Sequence, residues 1–87
     1  MPTTRPLVTP VVLGRTLKRL RGAVPVSQEG MAALAGIGRS YVGGIERGLR
    51  RPSFEKIDQL LLGMGYSWHD FADALDKELA AARRRER

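Results

Sequence analysis

Helical periodicity runs from about Gln28 to Ala35, stops at Gly36-Ile37-Gly38, and resumes from about Arg39 to Arg47, where Gly48 is placed to end it. Two helices of only about two turns each, joined by a glycine-bearing turn of three or four residues, restrict the fold more than any other feature. The crossing makes demands that the residues meet. Ala32 supplies the small side chain needed where the second helix passes close to the first, and Gly36 supplies the residue that most easily takes a positive φ. Val42 and Ile45, three apart, share the inner face of the later helix and leave its opposite face free.

The remaining chain reads as three further helices. Thr9-Pro10 has a hydroxyl for the N-cap and a proline for the first helical position, and Leu13, Leu17 and Leu20 then recur at i, i+4 and i+7. That helix is expected to run to about Arg21 and end at Gly22, with Arg15, Lys18 and Arg19 solvated. Pro25 keeps Ala23-Val24-Pro25-Val26 out of a helix, and Ser27 caps the next one, with Glu29 in its first turn. Leu49-Arg50-Arg51-Pro52 is a basic loop. Ser53 caps a helix whose stripe is Phe54, Ile57, Leu60 and Leu61 and which stops at Gly63 and Gly65. Ser67-Trp68-His69-Asp70 resembles a capping box. It opens a fifth helix with Trp68, Phe71, Leu75 and Leu79 as a heptad-like seam, expected to fray from Ala80 onward. The layout expected is a flexible arm over 1–9, one domain over 10–80 and a basic tail over 81–87. No segment alternates as a strand does, so the fold class is all-α.

Composition narrows the function. Eighty-seven residues, 43% of them hydrophobic, suit one domain with a single core. No run approaches the roughly 18 apolar residues of a membrane helix, and Met1 to Pro6 lack an apolar leader segment, so the expected setting is cytoplasmic. The absence of cysteine excludes disulfides, thiol catalysis and cysteine-based zinc sites. The net charge of +6 is unevenly spread: residues 1–26 hold five basic residues and no acid, whereas residues 53–82 hold six acids and two lysines. A basic half on a small helical domain is the footprint of a polyphosphate binder. No nucleophile–base pair or phosphate-cradling glycine loop suggests an enzyme. His69 stands alone in a polar first turn, and Asp70, Asp73 and Asp76 are spread around one helix, so neither metal nor cofactor is expected.

The stretch Ser27-Gln28-Glu29-Gly30-Met31-Ala32-Ala33-Leu34-Ala35-Gly36-Ile37-Gly38-Arg39-Ser40-Tyr41-Val42-Gly43-Gly44-Ile45-Glu46-Arg47-Gly48 resembles the signature of the XRE family, the Cro and phage-repressor type of helix-turn-helix. The likeness extends over about residues 11–75. It implies a compact, five-helix, lambda-repressor-like domain with the helix-turn-helix at helices 2 and 3, and double-stranded DNA as the partner. Gln28 would bond a phosphate from a helix N-terminus, and Arg39 and Ser40 would face base edges. Tyr41 would touch the backbone or a thymine methyl, and Arg47, Arg50 and Arg51 would hold phosphates. Arg21 and Glu46 would form a buried structural pair. Gly43 and Gly44 depart from the family, which usually has a contacting side chain there. They imply a close approach of backbone to DNA or a looser recognition helix, with reading left to Arg39, Ser40 and DNA shape. Gly38 likewise replaces the usual Ser or Thr cap.

The family also implies a homodimer. Trp68, Phe71, Leu75 and Leu79 are the candidate interface, with Trp68 turned inward and Leu75 or Leu79 at the partner. The expected function is a dimeric transcriptional regulator on a palindromic operator, its recognition helices about 34 Å apart in successive major grooves. The alternative is the antitoxin of a toxin–antitoxin pair, whose main role is to bind a partner protein.

Overall fold

Small hydroxyls and glycines punctuate the chain at most of the places where a helix begins or ends. The computed structural model describes residues 6–85, which form α1 (Pro10–Gly22), α2 (Gln28–Ala35), α3 (Arg39–Glu46), α4 (Phe54–Met64) and α5 (Trp68–Arg85). Thr9, Ser27 and Ser53 cap α1, α2 and α4, their side-chain oxygens accepting from Val12 N, Gly30 N and Lys56 N at 3.2, 3.0 and 3.1 Å. The capping box of α5 is reciprocal: Ser67 N donates to Asp70 Oδ2 at 2.8 Å and Asp70 N donates to Ser67 Oγ at 3.1 Å. Gly36 and Gly65 close α2 and α4 with φ of 64° and 82°, conformations open to glycine at little cost. Lys56 reaches from α4 to donate its Nζ to Ala35 O, satisfying one of the last carbonyls of α2.

Helices α2 and α3 have eight residues each, too short to persist alone in water, so their stability comes from packing. Leu17, Met31, Val42, Ile45, Leu60 and Leu61 are at most 1% exposed and join four helices in one core. Ala32 lies buried among them, as the helix crossing requires. Thr16, not anticipated as a core residue, is fully buried because its hydroxyl donates to Val12 O at 2.8 Å within its own helix.

Helix α1 crosses α3 at Gly14. A Cβ there would fall on Ile45 O and stand 3.0 Å from Glu46 O, so the two backbones approach too closely for any other residue. The sequence carries no mark that distinguishes this glycine from one that merely weakens a helix.

Three expectations about the second half of the chain are corrected. Phe54 begins the α4 stripe in sequence but is 79% exposed, because its position on the first turn lies beyond the edge of the core. The buried face of α5 is Phe71, Ala74 and Glu78, with Leu75 and Leu79 half-buried at its margin and Trp68 on the surface. Ala74 allows α5 to lie close against α1, and Glu78 is covered because it pairs with Arg19 at 2.6 Å. Helix α5 also does not fray at Ala80 but continues to Arg85. Ala80 to Ala82 are strong helix formers, and Arg83 to Arg85 favour the negative end of the dipole. Of the expected arm, residues 6–9 are exposed and residues 1–5 lie outside the described part, as do residues 86 and 87 of the tail. Among the described residues no helix is long and apolar enough to cross a membrane.

Replacing Gly14 with alanine is expected to destabilise the protein by about 3 kcal/mol or more, since a backbone carbonyl has to move. Gly22→Ala, at a position with nothing within 4 Å, is expected to be neutral or stabilising by up to roughly 1 kcal/mol. Urea denaturation of the two variants checks both values.

Candidate nucleic-acid interface

The site is assembled from three short pieces: the start of α2, the start of α3, and the loop that follows α3. Behind them lies a charged group almost without water. Arg21 of α1 grips Glu46 of α3 by two bonds, Nε to Oε2 at 2.6 Å and Nη2 to Oε1 at 2.9 Å, with side-chain exposures of 18% and 3%. Gln28 of α2 adds a third, its Nε2 donating to Glu46 Oε1 at 2.9 Å. One carboxylate thus connects three helices. Burial is the largest influence on Glu46 and pushes its pKa up. The hydrogen bonds from Arg21 and Gln28, with the charges of Arg21 and Lys18, together outweigh it and hold the carboxyl below the usual glutamate range. The bond to Glu46 raises the Arg21 guanidinium in turn.

In front of this group, Arg21, Ser27, Gln28, Glu29 and Arg39 line an open depression of about 360 Å³. Arg39 and Ser40 are exposed on the first turn of α3. Gly38 caps that helix with no side-chain bond, and the N–H groups of Tyr41 and Val42 both donate to its carbonyl, at 3.0 and 3.3 Å. The Arg39 guanidinium meets Glu29 at 3.2 Å, both side chains about two-thirds exposed, a pairing that the sequence reading missed. Such a pair contributes little, about 0–1 kcal/mol, and yields readily to a better partner.

Gly43 and Gly44 are buried rather than presented to solvent. A Cβ on Gly44 would stand 2.7 Å from Arg50 Cγ, and one on Gly43 would stand 3.4 Å from Arg47 Nη1 and 3.9 Å from both polar atoms of the Gln28 amide. The missing side chain of Gly44 makes room for the Arg50 stem, whereas at Gly43 a Cβ would only touch Arg47 and Gln28 at ordinary contact distance. The Arg50 guanidinium lies 5.7 Å from the centre of the half-buried Tyr41 ring, a cation–π arrangement. Arg47, Arg50 and Arg51 are all exposed. Only the tertiary path of the loop after α3 reveals that a side chain at Gly44 would meet Arg50; nothing in the structure explains glycine at position 43.

The expected interface residues do not share one surface. Phe71 sits in the core, edge-on to Trp68 with ring centroids 5.5 Å apart. Trp68 is 39% exposed, stacks at a tilt on Phe54 and donates its Nε1 to Asp58 Oδ1 at 2.8 Å. Leu75 packs at the margin of the core, and Leu79 lines a groove with Pro6, Leu7 and Val11. Among the described residues no three acids, histidines or cysteines are grouped as metal ligands would be.

Residues 12–76 match the model of a family described as a helix-turn-helix domain. The restriction-modification controller protein C.AhdI from Aeromonas hydrophila is 40% identical over 71% of this chain and 94% of its own, with a TM-score of 0.67. The restriction-modification controller protein C.Esp1396I, solved as a tetramer in complex with its natural 35 base-pair operator, is 25% identical over 88% of this chain and 99% of its own, with a TM-score of 0.75. The clp gene regulator ClgR from Corynebacterium glutamicum shares the fold at 21% identity, with a TM-score of 0.83 over 97% of this chain and 87% of its own. No curated protein matches the chain.

The Glu46 carboxyl makes stability depend on acid in one direction. Its contribution is fully present above the ordinary unfolded-state value of 4.5 and is lost as pH falls through the lower folded-state value. Glu46→Gln is expected to be less stable at pH 7 by several kcal/mol, on the order of 3. Its difference from the parent should shrink toward pH 3, and urea midpoints across that range check it.

Proposed function

The chain belongs to the helix-turn-helix domain family, and from that premise we propose that it is an operator-binding transcriptional regulator, acts as a homodimer and has no catalytic activity of its own. The observation that carries this reading is the joint placement of Gln28, Arg39, Ser40, Arg47 and Arg50 around three converging elements held by a buried ion pair. The likeness to C.AhdI, a restriction-modification controller, and to C.Esp1396I, a tetramer on its operator, supports both DNA binding and self-association. The role goes with the cytoplasmic setting expected from the sequence.

On this reading Arg39 leaves Glu29 to pair with a guanine edge, Ser40 and Tyr41 touch the adjoining base or backbone, and Gln28, Arg47, Arg50 and Arg51 hold phosphates. Gly43 and Gly44 act indirectly, Gly44 by making room for the Arg50 stem and Gly43 by leaving the space beside Gln28 and Arg47 open. The DNA-binding module is residues 10–80, prolonged by the last turns of α5. The dimer forms through the exposed aromatic surface of Trp68 and Phe54, with Leu62, 69% exposed, about two turns beyond Phe54 on α4. Phe71 supports that surface from below, while Leu75 and Leu79 contribute from its margin.

Titration of the protein on its own upstream DNA and on random DNA, at two salt concentrations, tests the reading. Preferential binding at two protomers per site is the expected result, and equal weak binding to both would overturn it. Arg39→Ala should cost about 1–3 kcal/mol and relax one base position, whereas Arg50→Ala should weaken all sequences alike and lower the salt slope by about one. Phe54→Glu, at a residue outside the core, should shift sedimentation toward the monomer and weaken operator binding without loss of helicity.

A further inference from the structure

We propose that Glu46 is a positioning residue for DNA recognition, whose buried carboxylate sets the orientation of the Gln28 amide that meets the phosphate backbone. The inference rests on the DNA-binding reading above and assigns to Glu46 a task beyond joining α1 to α3. An ionised carboxylate only accepts hydrogen bonds, so the amide beside it has to turn Nε2, not Oε1, toward it. The opposite orientation would set the Gln28 oxygen against Glu46 Oε1, acceptor against acceptor, where the structure has Nε2 at 2.9 Å. Arg21 keeps Glu46 ionised by its two bonds, so the preference persists across the neutral pH range.

Gly43 leaves the neighbouring space open: a Cβ there would stand in ordinary contact, 3.9 Å from both Gln28 Nε2 and Gln28 Oε1 and 3.4 Å from Arg47 Nη1. The hydrogen bond to the Glu46 carboxylate, not a steric wall, is therefore what orients the amide. One of its two N–H groups is committed to Glu46, and the other remains for a phosphate oxygen, which also only accepts. A side chain fixed before binding loses less freedom on binding, so the contact is stronger than a free glutamine would make. The chain Arg21–Glu46–Gln28 therefore joins the interior of the domain to its DNA-facing edge.

A double-mutant cycle on operator affinity tests this with the full chain. Gln28→Ala is expected to weaken binding roughly tenfold, the loss of one hydrogen bond to a charged group. Glu46→Gln is expected to weaken binding by about three- to tenfold in the parent, but by less than about twofold in the Gln28→Ala background. Equal losses in the two backgrounds would overturn the proposal, since Glu46 would then act only through the placement of α3. Arg39→Ala serves as the control: if it and Gln28→Ala both leave affinity unchanged, the DNA-binding reading itself has failed, and the proposal with it. Should Glu46→Gln prove too unstable for titration, the Gln28 side-chain amide signals of the parent protein decide by nuclear magnetic resonance. Two well-separated amide proton shifts, one moved downfield and sensitive to titration of Glu46, are expected. Shifts equal to those of a free, exposed glutamine would overturn the proposal.

Discussion

Arg21 and Glu46 meet in a pocket that leaves the carboxylate almost no water, and everything in front of them depends on that meeting. A buried pair of this kind is not a large net source of stability, because both charges have lost their hydration. Its force lies in the cost of breaking it, about 3–5 kcal/mol when one partner is lost, against a total of about 5–15 kcal/mol for a small domain. The pair works only because α1 and α3 are already close, and they are close because Gly14 carries no side chain where it passes Ile45 and Glu46. An absent methyl group and a charged bond set one crossing together. That crossing fixes how the start of α3 stands relative to the start of α2.

The surface pairs do a different job. Arg39 with Glu29 and Lys77 with Asp73 lie in solvent, where each contributes about 0–1 kcal/mol and exchanges easily. For Arg39 that weakness suits the exchange of partners proposed for it above. Arg50 shows a third arrangement, its stem laid over Gly44 and its guanidinium near Tyr41, so an exposed cation is placed by a ring rather than by an acid among the described residues. Ordered in this way, the candidate site has a rigid centre at Glu46 and an edge of cations held by progressively weaker contacts.

Much of the fold was legible because its signals are local. A threonine or serine before each of α1, α2, α4 and α5 competes for the first free N–H groups, and Gly36 and Gly65 take positive φ, so the boundaries follow from neighbours in sequence. Val42 and Ile45 were readable as core for the same reason, since three-residue spacing puts them on one face. The fifth helix was harder. Trp68, Phe71, Leu75 and Leu79 make a plausible stripe, yet the face that turns inward is the one that offers Ala74 to α1 and Glu78 to Arg19. A polar residue satisfied by a partner 59 positions away cannot be told from a solvated one by periodicity.

The sequence by itself determined that there are five helices, where four of them begin, and that a short pair around Gly36 forms the helix-turn-helix, because those outcomes rest on dihedral preference, capping and period. The tertiary structure alone decided why Gly14 has to be glycine, that a side chain at Gly44 would meet the Arg50 stem, that Phe54 and Trp68 stand outside the core, and that Gln28 faces Glu46 with its nitrogen. These depend on which atoms arrive opposite a residue from elsewhere in the chain, and a hydrogen bond or a steric limit exists only once both sides are in place.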